Sequence, residues 1–146
     1  MAELELAWSL DGDDDLGILD ATVRSGEFSG HACAWFDRRQ LRAKFIASLR
    51  AYPLPESESP QLAGSFLGSR QELTLRIVVS PYNRRGALLV RVDLATDVQT
   101  GPDAELQHAV TTRFLTEYEA LGKFASDFGA LLDGTRETAL LRSSSP

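Results

Sequence analysis

Residues 72–96 read ELTLRIVVSPYNRRGALLVRVDLAT. Leu73, Leu75, Ile77 and Val79 alternate with Thr74, Arg76, Val78 and Ser80, and Leu88, Val90, Val92 and Leu94 alternate with Leu89, Arg91, Asp93 and Ala95. A period of two is that of a strand with one face toward a core. Pro81 to Gly86 supplies the turn residues between them, so 72–80 and 87–96 are predicted to form an antiparallel hairpin.

The same period recurs upstream. Leu4, Leu6 and Trp8 alternate over residues 3–9, and Leu19, Ala21 and Val23 alternate beyond the polar turn at Asp11–Asp15. After Ser25 and Gly26, the residues Phe28, Gly30, Ala32, Ala34 and Phe36 share one side of a third strand, with His31, Cys33 and Trp35 on the other. The small residues of the first side suit a helix lying close to the sheet. Asp37 and Gln40 have capping-box spacing, and Leu41, Phe45, Ile46 and Leu49 make the stripe of a helix over 38–51. A polar, proline-stiffened loop over 53–60 leads to a short strand in 62–67.

Downstream of the hairpin, a loop at 99–103 precedes a strand at 105–114. Its inward side is read as Leu106, His108, Val110, Thr112 and Phe114, with the opposite assignment left open. Thr116 and Glu119 repeat the capping spacing before a helix over 117–132, and Gly134 suits its left-handed end. The expected fold is α+β, a curved antiparallel sheet of six to seven strands with two helices packed on one face. It fills one domain over 1–134, followed by a C-terminal tail over 135–146 that ends in a frayed serine run.

The 146 residues are enough for a single core, and 43% apolar with 25% charged residues is ordinary globular composition. Cys33 stands alone, the start is acidic rather than signal-like, and no apolar run reaches the ~18–20 residues of a membrane span. A cytoplasmic location is therefore the expectation. A net charge of −6 disfavours nucleic acid and accommodates a basic protein partner. Thirteen of the fifteen basic residues are arginine, which a coding bias explains as well as selection for bidentate contacts.

No nucleophile elbow, phosphate loop or dinucleotide glycine pattern occurs, so no catalytic residue and no cofactor is expected. Asp11, Asp13 and Asp15 have the opening spacing of a calcium loop, but Leu16 and Thr22 stand where glycine and glutamate are required. His31, Cys33 and His108 lack the spacing of a metal site, and no third group is evident for a thiol–imidazole pair. The better candidate is the face opposite the helices, where His31, Cys33 and Trp35 are expected beside Arg76, Thr74, Arg91 and Asp93. Tryptophan and arginine dominate protein-binding hot spots. Cover by a loop or by a homodimer contact is the alternative. Tyr82, Arg84 and Arg85 in the hairpin turn form a second candidate patch, a solvated turn being its plain explanation.

The order hairpin, helix, hairpin, strand, helix is carried by Gly26, Phe28, Gly30, Ala34, Phe36, Asp37 and Leu41 and by Phe114, Tyr118, Leu121, Phe124, Phe128 and Leu132. In this pattern, over residues 17–133, the chain resembles bacterial immunity proteins of the WapI type. The resemblance implies a non-enzymatic inhibitor that binds a cognate toxin, and the chain's acidity would suit a basic one. It carries over no interface residue. The alternative expectation is a small-ligand binding module using the sheet face or the sheet-helix gap, with Trp8, Phe66 or Trp35 lining its cavity.

Overall fold

The computed structural model describes residues 1–12, 14–65, 73–96 and 107–144. Its strands are β1 (Ala2–Leu10), β2 (Leu16–Ser25), β3 (Phe28–Asp37), β4 (Gln61–Gly64), β5 (Leu75–Pro81), β6 (Ala87–Ala95), β7 (Ala109–Glu117) and β8 (Ala139–Arg142). Helix α1 covers 38–49, an α-turn at each end of a π-helical stretch, Leu41–Ile46. Helix α2 is Tyr118–Leu132. No helix among the described residues is long and apolar enough to cross a membrane.

The α+β class and the antiparallel pairing agree with the sequence, but the single curved sheet does not. The strands divide into two four-stranded sheets, ordered β3-β2-β1-β8 and β4-β5-β6-β7. Of the inward residues foreseen on β1, β2, β5 and β6, Leu4, Leu6, Leu19, Ala21, Val23, Leu75, Ile77, Val79, Leu88, Val90, Val92 and Leu94 are buried, in one continuous cluster across both sheets, as are Thr112 and Phe114 on β7; Trp8 is only half-buried, and Leu73 and His108, beyond the ends of their strands, are exposed. A period of two says which side of a strand is buried. It does not say against what.

The small residues of β3 show the difference. A Cβ placed on Gly30 would lie 2.3 Å from Val110 Cγ1, and one on Gly64 would lie 3.3 Å from the Ala34 Cβ. β3 approaches all four strands of the second sheet, so the glycine–alanine face seats a sheet rather than a helix. The helices bridge instead. α2 lies against β1 and β8 of the first sheet and β7 of the second, while α1 lies against β4 and α2. Phe45 and Phe128 meet edge to face at 6.1 Å between ring centroids, a favoured aromatic geometry. Phe28, placed inward by the alternation, is 69% exposed at the β2–β3 turn.

Both sheets have their edges closed by each other. At one junction Trp35 N–H donates to Ser65 O (3.1 Å) and Thr74 Oγ1 donates to Cys33 O (2.7 Å). At the other Ser144 N–H donates to Leu115 O (2.9 Å) and Thr116 Oγ1 to Arg142 O (3.0 Å).

Helix ends also depart from expectation. Asp37 caps α1, its carboxylate accepting from Arg39 N–H at 2.8 Å. That bond holds the Asp37 carboxyl below its ordinary value, with the Arg39 guanidinium assisting against desolvation. Thr116 does not cap α2, because its hydroxyl serves the β7–β8 junction, and Glu117 stands at the cap without a side-chain bond. Gly134 takes a φ of 81° as foreseen, and Gly134 N–H and Thr135 N–H close the last turn on Leu131 O and Ala130 O.

The tail is not frayed over its whole length. Glu3, Leu4, Glu5 and Leu6 pair with Arg142, Leu141, Leu140 and Ala139, and Ala139 and Leu141 are fully buried. The expected strand at 105–114 appears as Ala109–Glu117, with Leu106 outside the described residues. The short strand is Gln61–Gly64, with Phe66 and Leu67 likewise outside them.

Candidate functional site

The side chains expected on one face lie on two. His31, Cys33 and Trp35 project from the outer face of the first sheet, where they stand opposite Thr22, Asp20 and Ile18 of β2. Arg76 and Arg91 project from the outer face of the second. Thr74 belongs to neither, being buried at the junction between β3 and β5. Tyr82, Arg84 and Arg85 lie in the exposed β5–β6 turn. Six residues of strand put that turn roughly 20 Å from Arg76, so it is a separate patch.

On the first sheet every outward acid has a basic neighbour. Glu5 meets Arg24 at 3.5 Å, Glu3 meets Arg142 at 3.9 Å, and Asp20 Oδ1 lies 3.0 Å from His31 Nε2. Such exposed pairs each contribute about 0–1 kcal/mol. Their effect here is to give each of these acids a hydrogen-bonding or charged neighbour on the same face.

The second sheet is arranged differently. Arg76 stands directly opposite Asp93, which stands opposite Thr111, and in the adjoining row Arg91 stands opposite Arg113. Asp93 Oδ2 accepts from Arg91 Nε at 3.0 Å, and Asp93 Oδ1 accepts from Thr111 Oγ1 at 2.6 Å. Both oxygens are thus engaged. Among the described residues, Arg76 reaches the neutral Gln61 side chain at 3.2 Å, and its Nε is covered without an acceptor. Arg113 is exposed and makes no ion pair among the described residues. Among the described residues at this row, three guanidiniums therefore share one carboxylate, two of them as a like-charge cross-strand pair, an arrangement that costs about 0.2–1 kcal/mol. A cleft of about 240 Å³, lined by Leu73, Arg76, Arg91, Asp93, Ala109 and Thr111, adjoins this row.

His31 and His108 come together at a smaller cleft of about 140 Å³ beside Gly30 and Val110. Cys33 does not line it, and among the described residues no three histidines, cysteines or carboxylates are placed to hold a metal ion. In the acidic turn, Asp15 is taken by Arg38 Nε at 2.7 Å and Arg39 Nε at 3.0 Å, while Asp13 lies outside the described residues. Those guanidiniums occupy the carboxylate that a cation would use.

The same contacts show that the α1 arginines are not all turned to solvent. Arg38 also donates to Leu132 O at 3.1 Å, and Arg42 pairs with Asp133, so both hold the carbonyl end of α2, where cations are favoured. Next to this contact is a cleft of about 380 Å³ lined by Trp8, Leu10, Arg38, Leu131, Leu132 and Arg136 among others. Trp8 Nε1 is covered and has no acceptor.

Arg113 was missed by sequence reasoning although its signal was present. Once Thr112 and Phe114 are assigned inward, Thr111 and Arg113 must face out, but only the strand register places Arg113 opposite Arg91. With this geometry in hand, comparison with models of protein families, with curated proteins and with solved structures finds no match for the chain.

Proposed function

We propose that the chain is a non-enzymatic protein-binding domain and, more finely, an immunity-type inhibitor that neutralises a cognate toxin in the cytoplasm by occupying it. The observation that carries this reading is the outer face of the second sheet, where Arg76, Arg91 and Arg113 have one carboxylate among them. An arginine-rich, half-exposed sheet surface is suited to being covered by another protein. The overall charge of −6 would draw a partner of basic character at long range, while the residues at this face call for acceptors at contact.

Co-purification of the tagged chain from its native host at low salt tests the proposal. A stoichiometric second polypeptide is the expected result, and co-expression should protect cells from that polypeptide if it is a toxin. Elution of the chain alone, as a monomer or as its own dimer, overturns it.

A second reading, a small-ligand binding module, is favoured by the cleft at Trp8, which adjoins both β1 and the end of α2. Its volume lies within the usual ~300–1,000 Å³ of ligand pockets. Tryptophan fluorescence titration with a metabolite library would detect an occupant, because Trp8 lines the cleft. A response unchanged by Trp8→Phe removes this reading.

A further inference from the structure

We infer that the outer face of the second sheet is a receptor for carboxylates presented at alternate positions of an extended acidic segment of the partner. This rests on reading the chain as a protein-binding domain, and it adds the chemistry and place of contact. The argument begins with Asp93, whose two oxygens are already engaged by Arg91 Nε and Thr111 Oγ1. Among the described residues no acid is paired with Arg113 or Arg76, and Glu117, the other outward acid of β7, lies four residues along the strand from Arg113. Arg91 and Arg113 face each other directly across β6 and β7, where like charges repel. A carboxylate bound between them converts that repulsion into two charge-assisted hydrogen bonds, the geometry for which guanidinium is best suited.

The spacing suggests the form of the ligand. Arg76, Arg91 and Arg113 lie on three successive strands, with Arg76 two residues along from the row of the other two, so they spread over about 12 Å, while side chains two apart on an extended segment repeat at about 7 Å. Two carboxylates at such positions can reach the Arg91–Arg113 pair and Arg76 together. Exposed Leu73, on the wall of the adjoining cleft, offers an apolar contact beside them. The first sheet offers no such surplus, because Glu3, Glu5 and Asp20 already face Arg142, Arg24 and His31.

The test is a titration of the full ¹⁵N-labelled chain, followed through backbone amides and arginine Nε–H signals. The probe is a capped peptide of alternating glutamate and serine, eight residues long. Saturable shifts confined to Arg76, Arg91, Arg113 and strands β5–β7 are expected, weakening several-fold as salt rises from about 20 to about 200 mM. Arg113→Glu should cost about tenfold in affinity with a well-dispersed spectrum, and Arg24→Glu should leave it unchanged. Absence of saturation at millimolar peptide overturns the inference. So does an Arg113→Glu variant that binds as well, or an oligothymidylate or a second copy of the chain that perturbs the same signals more strongly than the peptide.

Failure of this site and failure of the protein-binding reading separate cleanly. A stoichiometric partner that binds Arg113→Glu as tightly as wild type removes the carboxylate receptor and leaves the domain a binder. A peptide that saturates this face while no host polypeptide co-purifies does the reverse.

Discussion

The outer faces of the two sheets are built on the same strand geometry and carry similar numbers of charged residues, yet they are balanced in opposite ways. On the first, Glu3, Glu5 and Asp20 each have an arginine or histidine partner within 4 Å on the same face. On the second, Asp93 is shared between Arg91 and Thr111, and Arg113 is left across from Arg91. Charge composition therefore says little about a surface until register shows which charges are neighbours.

The contrast depends first on the first sheet being four strands wide. Leu141→Ala on β8 should therefore have the largest effect, a loss of about 2–5 kcal/mol in urea-induced unfolding, because Leu141 is fully buried. A loss below about 1 kcal/mol would mean that the C-terminal strand is not part of the core.

Next in size is Arg38→Met, which separates arginines with structural partners from those without. Arg38 bonds Asp15 and the Leu132 carbonyl from a largely covered position, so its replacement should cost about 1.5–3 kcal/mol by the same measurement. A neutral effect would move Arg38 into the class of Arg113.

The most direct test applies one substitution to both faces. Arg24→Glu places a carboxylate opposite Glu3 and removes the partner of Glu5, and should destabilise by about 0.2–1 kcal/mol. Arg113→Glu places a carboxylate opposite Arg91 and should stabilise by a similar amount. Thermal melts at low ionic strength would show shifts of opposite sign. Equal signs would break the comparison.

The smallest effect concerns pH. The Asp37 carboxyl lies below its ordinary value in the folded chain, chiefly through the Arg39 backbone N–H. A lowered carboxyl contributes stability that is fully present above its unfolded value and is lost as pH falls through the folded one. Melting should thus show an Asp37-dependent decline below about pH 4, absent in Asp37→Ala, whose curve converges with wild type in acid.

The hairpins were legible because alternation over 19–36 and 72–96 is strong, and both helices were legible from their apolar stripes. The division into two sheets was not, because Gly30, Ala32 and Ala34 allow close approach by a helix or a sheet alike. β8 escaped notice because four residues carry too little periodicity to stand out. The binding face was only half legible. Alternation showed that Arg76 and Arg91 point away from the core, but their separation from His31, Cys33 and Trp35 follows from strand order, and the role of Arg113 follows from register. Thr116 misled because a hydroxyl that can cap a helix can equally bond a neighbouring carbonyl, and Arg142 supplied one.

The pairing of β1 with β8 also bears on the birth of the protein. Ala2–Leu10 is made before the other described strands, but one of its two hydrogen-bonded neighbours, Ala139–Arg142, is made more than a hundred residues later. At usual synthesis speeds the ribosome delivers that neighbour on the order of ten seconds after the first strand emerges. During that interval the β1–β2–β3 meander waits with a bare flank, so the second sheet can be assembled on the nascent chain before the first acquires its last strand.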